Sequence, residues 1–420
     1  MEDKEKNCWS LKERVMKKIC IACVSGLPIP PVRGGAVEAL VQQIVEENEK
    51  NPHYQIVVLT IEDEKAKKLS KGYKYTQYVR FRPNLLFNRI LFRVAKIKKQ
   101  FGKKQAYYVS SEKIKSAKYL MKNHGIFDLI IDEGGIEEFV YGNDIIPFKK
   151  RVLHMHGIDK YCVDHATAVH SVFCVSHFCS EQWIEMTSMD RKDVYDLINS
   201  INTETLRRKP SILEIEQLKK FYDISDDTFV LLYAGRLIEE KGLSELIEAV
   251  NLIDDKRLLL LVLGGVFFSS NSRDTDYVRH CKEIANTSSS RVLFLGYIDN
   301  NELYKYHSLT DIAVIPSRYD EPACLVVLEA QGAGDAVIAT DSGGTPELLG
   351  NGCGILVRND KRVVNNLKEA ILKLWNDPAL CQKCGEAGIE YSLKNNGASY
   401  FSRFCNLTDR LLIENDKLDV

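Results

Sequence analysis

Two glutamates eight positions apart, Glu321 and Glu329, bracket the apolar run in EPACLVVLEA. Pro322 follows the first, and proline suits the first helical position because it has no N–H to leave unpaired. The spacing predicts a helix that starts at Pro322 and leaves the N–H groups of Ala323, Cys324 and Leu325 without intrahelical partners. On such a helix the two carboxylates stand roughly 12 Å apart along the axis. That is the length from a hexose through a diphosphate to a ribose. Glu321 could then take sugar hydroxyls, the N–H groups phosphate oxygens, and Glu329 ribose hydroxyls. Two glutamates at this spacing also occur without any ligand, so other residues have to converge on the same place.

Several do. AGRLIEEKG sets Arg236 and Lys241 just past an expected strand, within reach of an anionic ligand, although alone they suit a solvated surface as well. PPVRGGAVEAL puts Gly34 and Gly35 at a helix start, where backbone N–H groups and the helix dipole favour an anion. A plain loop-and-cap role would also account for these glycines. RVLHMHGID ends a strand on His156, with His154 at the same strand parity but deeper and read as packing. SRDTDYV carries Asp274 and Asp276 ahead of a helical pattern, where capping by Asp274 or Thr275 fits better than metal binding. CQKC at 381–384 has no second pair and no His-rich neighbour, so it reads as helix surface rather than a zinc or redox site. No metal site is expected.

The elements that must position these residues alternate between apolar strands and amphipathic helices. KICIACVSGLPIPPVRGGAVEALVQQIVEEN and FVLLYAGRLIEEKGLSELIEAVNLI share one plan of buried strand, glycine-rich loop and helix. FDLIIDEGG, KRVLHMHG, SVFCVS and DVYDLINS follow the first as strand-like runs; RLLLLVLGG, RVLFLGYI, DIAVIPS and AVIATDSGG follow the second. Alternation of this kind implies parallel sheets with helices on both faces. The expected fold is α/β: two Rossmann-like domains whose strand carboxyl ends face a shared cleft. Its expected parts are an extension over 1–15, an N-terminal domain over 16–203 that binds the acceptor, a C-terminal nucleotide-binding domain over 204–396, and a helix over 397–420 that returns to the first domain. The length of 420 residues supports two domains.

Together, GRLIEEKG, the Glu-x7-Glu of EPACLVVLEA, DSGGTPELL with GCGILV, and PPVRGGAVE resemble family 4 of the retaining GT-B glycosyltransferases. The resemblance spans nearly the whole chain. It implies a nucleoside-diphosphate sugar donor, UDP- or GDP-linked, a glycan or lipid-linked acceptor, and no metal or other cofactor. Residue by residue, it implies that Arg236 and Lys241 neutralise the diphosphate, Glu321 orients the transferred sugar, Glu329 holds the ribose, Gly35 lets its loop approach the phosphates, and His156 lies near the sugar. Ala323 and Cys324 depart from the Phe-Gly or similar small pair common in the family, which bears on sugar specificity.

With 45% hydrophobic and 27% charged residues the composition is that of a globular protein, and no apolar run is long enough to span a membrane. The first twenty residues lack the apolar core of a signal peptide, and the twelve cysteines show no disulfide pattern, which together suggest the cytoplasm. The net charge of −1 hides an asymmetry: Lys65 to Lys122 holds 18 Lys/Arg against the single acid Glu112. Within residues 85–104, helical geometry gathers Leu86, Ile90, Val94 and Ile97 on one arc beside Arg89, Arg93, Lys96 and Lys103. Such a basic amphipathic helix can rest on an anionic membrane surface, placing the protein peripherally on the inner face of the cell membrane, or can simply pack on the first sheet. No nucleic-acid motif accompanies the charge, and no nucleic-acid partner is expected. Assembly of bacterial surface polysaccharide would suit these features. The alternatives are a catalytically idle structural or coat protein of the same fold, and a sugar-nucleotide epimerase.

Overall fold

The computed structural model describes residues 16–23, 26–82, 84–100, 115, 118, 119, 122, 126–134, 148–265 and 274–416. The segment 1–15, expected to be an extension, lies outside them.

The first sheet contains β1 (Lys17–Ala22), β2 (Tyr54–Ile61), β3 (Thr76–Phe81), β4 (Phe127–Glu133), β5 (Phe148–Met155), β6 (Ser171–Cys174) and β7 (Val194–Asp196). They lie in the order β3-β2-β1-β4-β5-β6-β7, every neighbouring pair parallel. The second sheet contains β8 (Phe229–Ala234), β9 (Leu258–Leu263), β10 (Arg291–Gly296), β11 (Ile312–Ile315), β12 (Ala336–Asp341) and β13 (Gly354–Arg358). Its order, β10-β9-β8-β11-β12-β13, is the same pattern, again all parallel. The expected pair of Rossmann-like sheets is therefore present, with β2, β3 and β13 added to the strands foreseen.

Strand β9, LLLLVL, shows why such runs form buried parallel strands: all six residues are buried. Successive side chains point to opposite faces. Leu258, Leu260 and Val262 accordingly join Leu246, Ile247 and Val250 of the Leu243–Ile253 helix, while Leu259, Leu261 and Leu263 fill the other face. A buried leucine of this kind is worth about 2–5 kcal/mol against alanine.

In the first sheet, Ile19 and Ile21 of β1 pack with Leu40 and Ile44 of the Ala36–Lys50 helix. Tyr400, Phe404 and Leu411 of the last helix, Gly397–Asp416, belong to the same core. Tyr54 reaches this helix too, its hydroxyl donating to Asp409 at 2.7 Å. The final helix of the chain is thereby built into the first domain.

In both sheets the strand order reverses direction beside the first strand, between β1 and β4 and between β8 and β11. In open α/β sheets, ligands bind outside the strand carboxyl ends at such a switch point. The residues that follow β1, β4, β8 and β11 therefore border these switch points, and those after β5 lie one strand further along.

Candidate functional site

The chain leaves β8 through Gly235 and reaches Arg236, which is exposed. Among the described residues its guanidinium forms no hydrogen bond or ion pair, and its charge acts on the nearby Tyr319 hydroxyl. Lys241 ends a short 3-10 turn, Glu239–Lys241, and its ammonium forms an ion pair with Glu321. Glu321, just past β11, is buried. The Lys241-paired oxygen also accepts from Ser317 Oγ at 2.5 Å, and the other oxygen accepts from the Tyr319 hydroxyl at 2.7 Å. Burial and the adjacent carboxylate raise the pKa of Tyr319, keeping it a donor. The sequence pointed to Lys241 as a phosphate ligand and Glu321 as a sugar ligand; the structure joins them to each other.

The expected helix start at Pro322 is corrected. The helix runs Leu325–Ala333, with Cys324 as its N-cap in an extended conformation. A helix from Pro322 would need the carbonyls of Glu321 and Pro322 as acceptors for its first turns. Those carbonyls are taken, Glu321 O by Gly344 N at 2.7 Å and Pro322 O by Ser176 Oγ at 2.6 Å. The first intrahelical acceptor is Cys324 O, bonded to Val327 N at 3.1 Å. Ala323 therefore precedes the helix, Leu325 opens it, and the separation of roughly 12 Å calculated for one continuous helix no longer holds. Gly343, at φ +55°, allows this arrangement, since a Cβ there would lie 2.3 Å from Glu321 O. Burial pushes the Cys324 thiol up to about 12. Glu329 is half-buried within the helix, and burial raises its carboxyl pKa.

Across from these residues, Gly34 and Gly35 precede the Ala36–Lys50 helix at φ +78° and +108°. A Cβ on Gly35 would lie 2.1 Å from a Glu38 carboxylate oxygen, so the position must be glycine for Glu38 to fold back over the helix start. A Cβ on Gly34 would lie 3.7 Å from the hydroxyl of Tyr297, just past β10. The glycine loop thus faces the second domain.

His156 follows β5, with its Nε2 2.7 Å from Glu133 Oε2 at the end of β4. His154 Nδ1 is 2.8 Å from the same oxygen. Parallel register explains the cluster, because Glu133 pairs with His154 across β4 and β5. Burial alone would raise the Glu133 carboxyl, but the two imidazoles hold it at about 2. Burial and the neighbouring His154 ring lower the pKa of His156, so its imidazole is neutral near pH 7. The three side chains bring ligand-type atoms within 4.8 Å of one another. In this structure one carboxylate oxygen serves both rings at hydrogen-bond distance. Sequence reading missed Glu133; the signal was an acid closing FDLIIDEGG one strand away from HMHG.

The domains also meet directly. Ser176 caps the His177–Thr187 helix of the first domain and donates to the Pro322 carbonyl. The free N–H groups of His177 and Phe178 each donate to Glu347 of the second domain at 2.7 Å. A carboxylate at a helix N-terminus is the favourable arrangement.

Away from the cleft, Thr275 caps the Asp276–Ile284 helix and Asp274 pairs with Lys282. Cys384 is buried in the second core, which corrects the helix-surface reading, and Cys381 is half-buried. The Leu85–Gln100 helix leaves Leu86, Ile90, Val94 and Ile97 between 42% and 71% exposed, with Arg89 and Arg93 exposed as well. Among the described residues that face is not packed on the first sheet. Lys103 lies outside the described residues, as does the side chain of Lys96. Among the described residues no helix is long and apolar enough to cross a membrane.

The paired switch-point sheets have known counterparts. The structure of Anabaena HepE in complex with UDP-glucose matches over 94% of this chain and 99% of its own, with a TM-score of 0.70 and 18% identity. The fold is GT-B. Within this GT-B chain, residues 214–391 match the sequence model of glycosyl transferases group 1. Lipopolysaccharide 1,2-N-acetylglucosaminetransferase of Salmonella typhimurium is 28% identical over 37% of this chain and 40% of its own length. Spore coat protein SA of Bacillus subtilis is 26% identical over 40% of this chain and 45% of its own. The chain spans less than half the length of these two curated relatives.

Proposed function

We propose that the protein is a retaining, metal-independent glycosyltransferase of family 4. It moves a sugar from a nucleoside-diphosphate donor, UDP- or GDP-linked, to a glycan or lipid-linked acceptor, in the cytoplasm during surface-polysaccharide assembly. The observation that carries the reading is Arg236, an exposed guanidinium without a protein ion-pair partner among the described residues, at the switch point of the sheet whose sequence matches glycosyl transferases group 1. Uncommitted cations at such a point are suited to a diphosphate.

In this reading Arg236 takes the charge that grows on the departing diphosphate, aided by Lys241 and by the N–H groups around Cys324 and Leu325. Such preorganised stabilisation is the largest catalytic term in many enzymes. Three donors fill three of about four lone-pair positions on Glu321, leaving one for a sugar hydroxyl. Glu329 holds the ribose, Gly34 and Gly35 keep the first domain close to the phosphates, and His156 faces the sugar. The exposed apolar and basic face of the Leu85–Gln100 helix supports docking on an anionic leaflet, where a lipid-linked acceptor would lie.

The test is to incubate the protein with UDP- and GDP-sugars and acceptor lipids, and to follow nucleoside diphosphate release and product anomer. Release with retained configuration supports the reading; an inverted product contradicts it. Flotation with anionic but not neutral liposomes supports the membrane part, and absence from both fractions removes it. The likeness to a spore coat protein favours one second reading, a structural protein of the same fold. That reading predicts no nucleotide-sugar binding.

A further inference from the structure

Glu133 holds two histidines through one oxygen, and only one of them can meet a ligand. His154 is buried, whereas the His156 side chain is 16% exposed at the end of β5. We infer that Glu133 is a positioning residue that fixes His156 as the Nε2–H tautomer and presents its Nδ1 lone pair to a hydroxyl of the donor sugar. The inference rests on the proposed sugar-facing role of His156.

A neutral imidazole carries one N–H and one lone pair, and the partner of one nitrogen sets the state of the other. An ionised carboxylate only accepts. The 2.7 Å contact between Glu133 Oε2 and His156 Nε2 therefore places the proton on Nε2. Nδ1 is left as an acceptor, and among the described residues it has no hydrogen-bond partner. His154 meets the same oxygen through its Nδ1, so the two rings are held by opposite nitrogens. Because both rings compete for a single carboxylate oxygen, neither can rotate without breaking a charge-assisted hydrogen bond. The supports are the parallel strands β4 and β5, paired residue for residue from Ile130–Arg151 to Glu133–His154.

The consequence for recognition is chemical. An acceptor nitrogen selects a ligand group that can donate, such as a hydroxyl, and disfavours a deoxy position or a carbonyl there. A site built to hydrogen-bond a hydroxyl rejects the analogue lacking it strongly, because its own polar atom is left unpaired. On the other side of the cleft, a Cβ at Gly157 would come within 3.5 Å of Pro322 Cγ, so His156 lies beside the Glu321–Cys324 segment.

The experiment is side-chain 15N NMR of the full chain labelled at histidine, with the His156 signals assigned by their loss in His156→Asn. The wild type should show a single Nε2–H tautomer for His156 near neutral pH. Glu133→Gln should give a mixture of tautomers, and a drop in donor turnover of at least about tenfold by loss of positioning, with KM changing less than kcat. A wild-type Nδ1–H tautomer, or an unchanged tautomer in Glu133→Gln, overturns the inference. So does stoichiometric Zn2+ shifting both rings, which would make the cluster a metal site. The wild-type tautomer needs no variant, so the inference can fail even if Glu133→Gln does not fold. It is also read without substrate: absence of nucleotide-sugar binding with the Nε2–H tautomer present overturns the proposed function and its donor-sugar contact, while the Glu133–His156 arrangement stands.

Discussion

Ser176 of the first domain donates its hydroxyl to the carbonyl oxygen of Pro322 in the second, at 2.6 Å, while its Oγ accepts from Cys179 N at 3.1 Å. One buried side chain therefore caps a helix and holds the backbone beside Glu321. Replacing Ser176 with alanine should cost about 1 kcal/mol for the cap, and about 1–3 kcal/mol more for the Pro322 carbonyl, which keeps only the weak Cys179 thiol donor at 4.0 Å. Urea denaturation of Ser176→Ala measures the loss; an unchanged midpoint would show that this contact does not form in solution.

Glu347 supplies the second tie, accepting from the N–H groups of His177 and Phe178. Glu347→Gln keeps the shape and removes the charge that matches the helix dipole. The domains should then separate more readily, giving a larger radius of gyration by small-angle X-ray scattering. A profile identical to wild type contradicts this.

Lys241 and Arg236 should behave oppositely as alanine variants. Lys241→Ala leaves Glu321 buried without its cation and should destabilise the fold by about 3–5 kcal/mol. Arg236 is exposed, and its loss should leave the melting temperature unchanged while lowering turnover about a hundredfold, in line with loss of one charge-stabilising donor. Melting curves and rates on both variants separate the two roles, and equal destabilisation would refute the distinction.

Acid stability should report on the cluster around Glu133. Its folded pKa of about 2 lies below the ordinary 4.5, so its contribution is fully present above pH 4.5 and lost as pH falls towards 2. The lowered pKa of His156 has the same sign and begins to cost stability as pH falls below 6.5. The groups facing them are His154 and the buried Tyr400 of the last helix. Melting temperature against pH should fall less steeply between pH 4.5 and 2 for Glu133→Gln than for wild type. Parallel curves would contradict the assignment.

The sequence revealed what depends on local pattern. The LLLLVL run read as a buried strand, and two strand-glycine-helix units in tandem implied two sheets of one plan. Arg236 and Lys241 were legible as residues just past a strand, and Glu321 as a carboxylate ahead of a helix. What escaped depends on contacts between distant segments. Glu133 becomes informative only when β4 and β5 are placed in register, and the helix start at Leu325 only when Ser176 and Gly344 are seen to take the two preceding carbonyls. Proline at a first helical position is a local preference, and here two long-range hydrogen bonds outweigh it.

The central claim is that the cleft binds a nucleotide sugar through Arg236. Calorimetric titration of the protein with UDP- and GDP-linked sugars, repeated on Arg236→Ala, tests it most directly. Saturable binding of one donor is expected, weakened at least tenfold, or about 1.4 kcal/mol, in a variant of unchanged melting temperature. Folded wild-type protein that binds none of them, or an Arg236→Ala variant that binds as tightly, would contradict it.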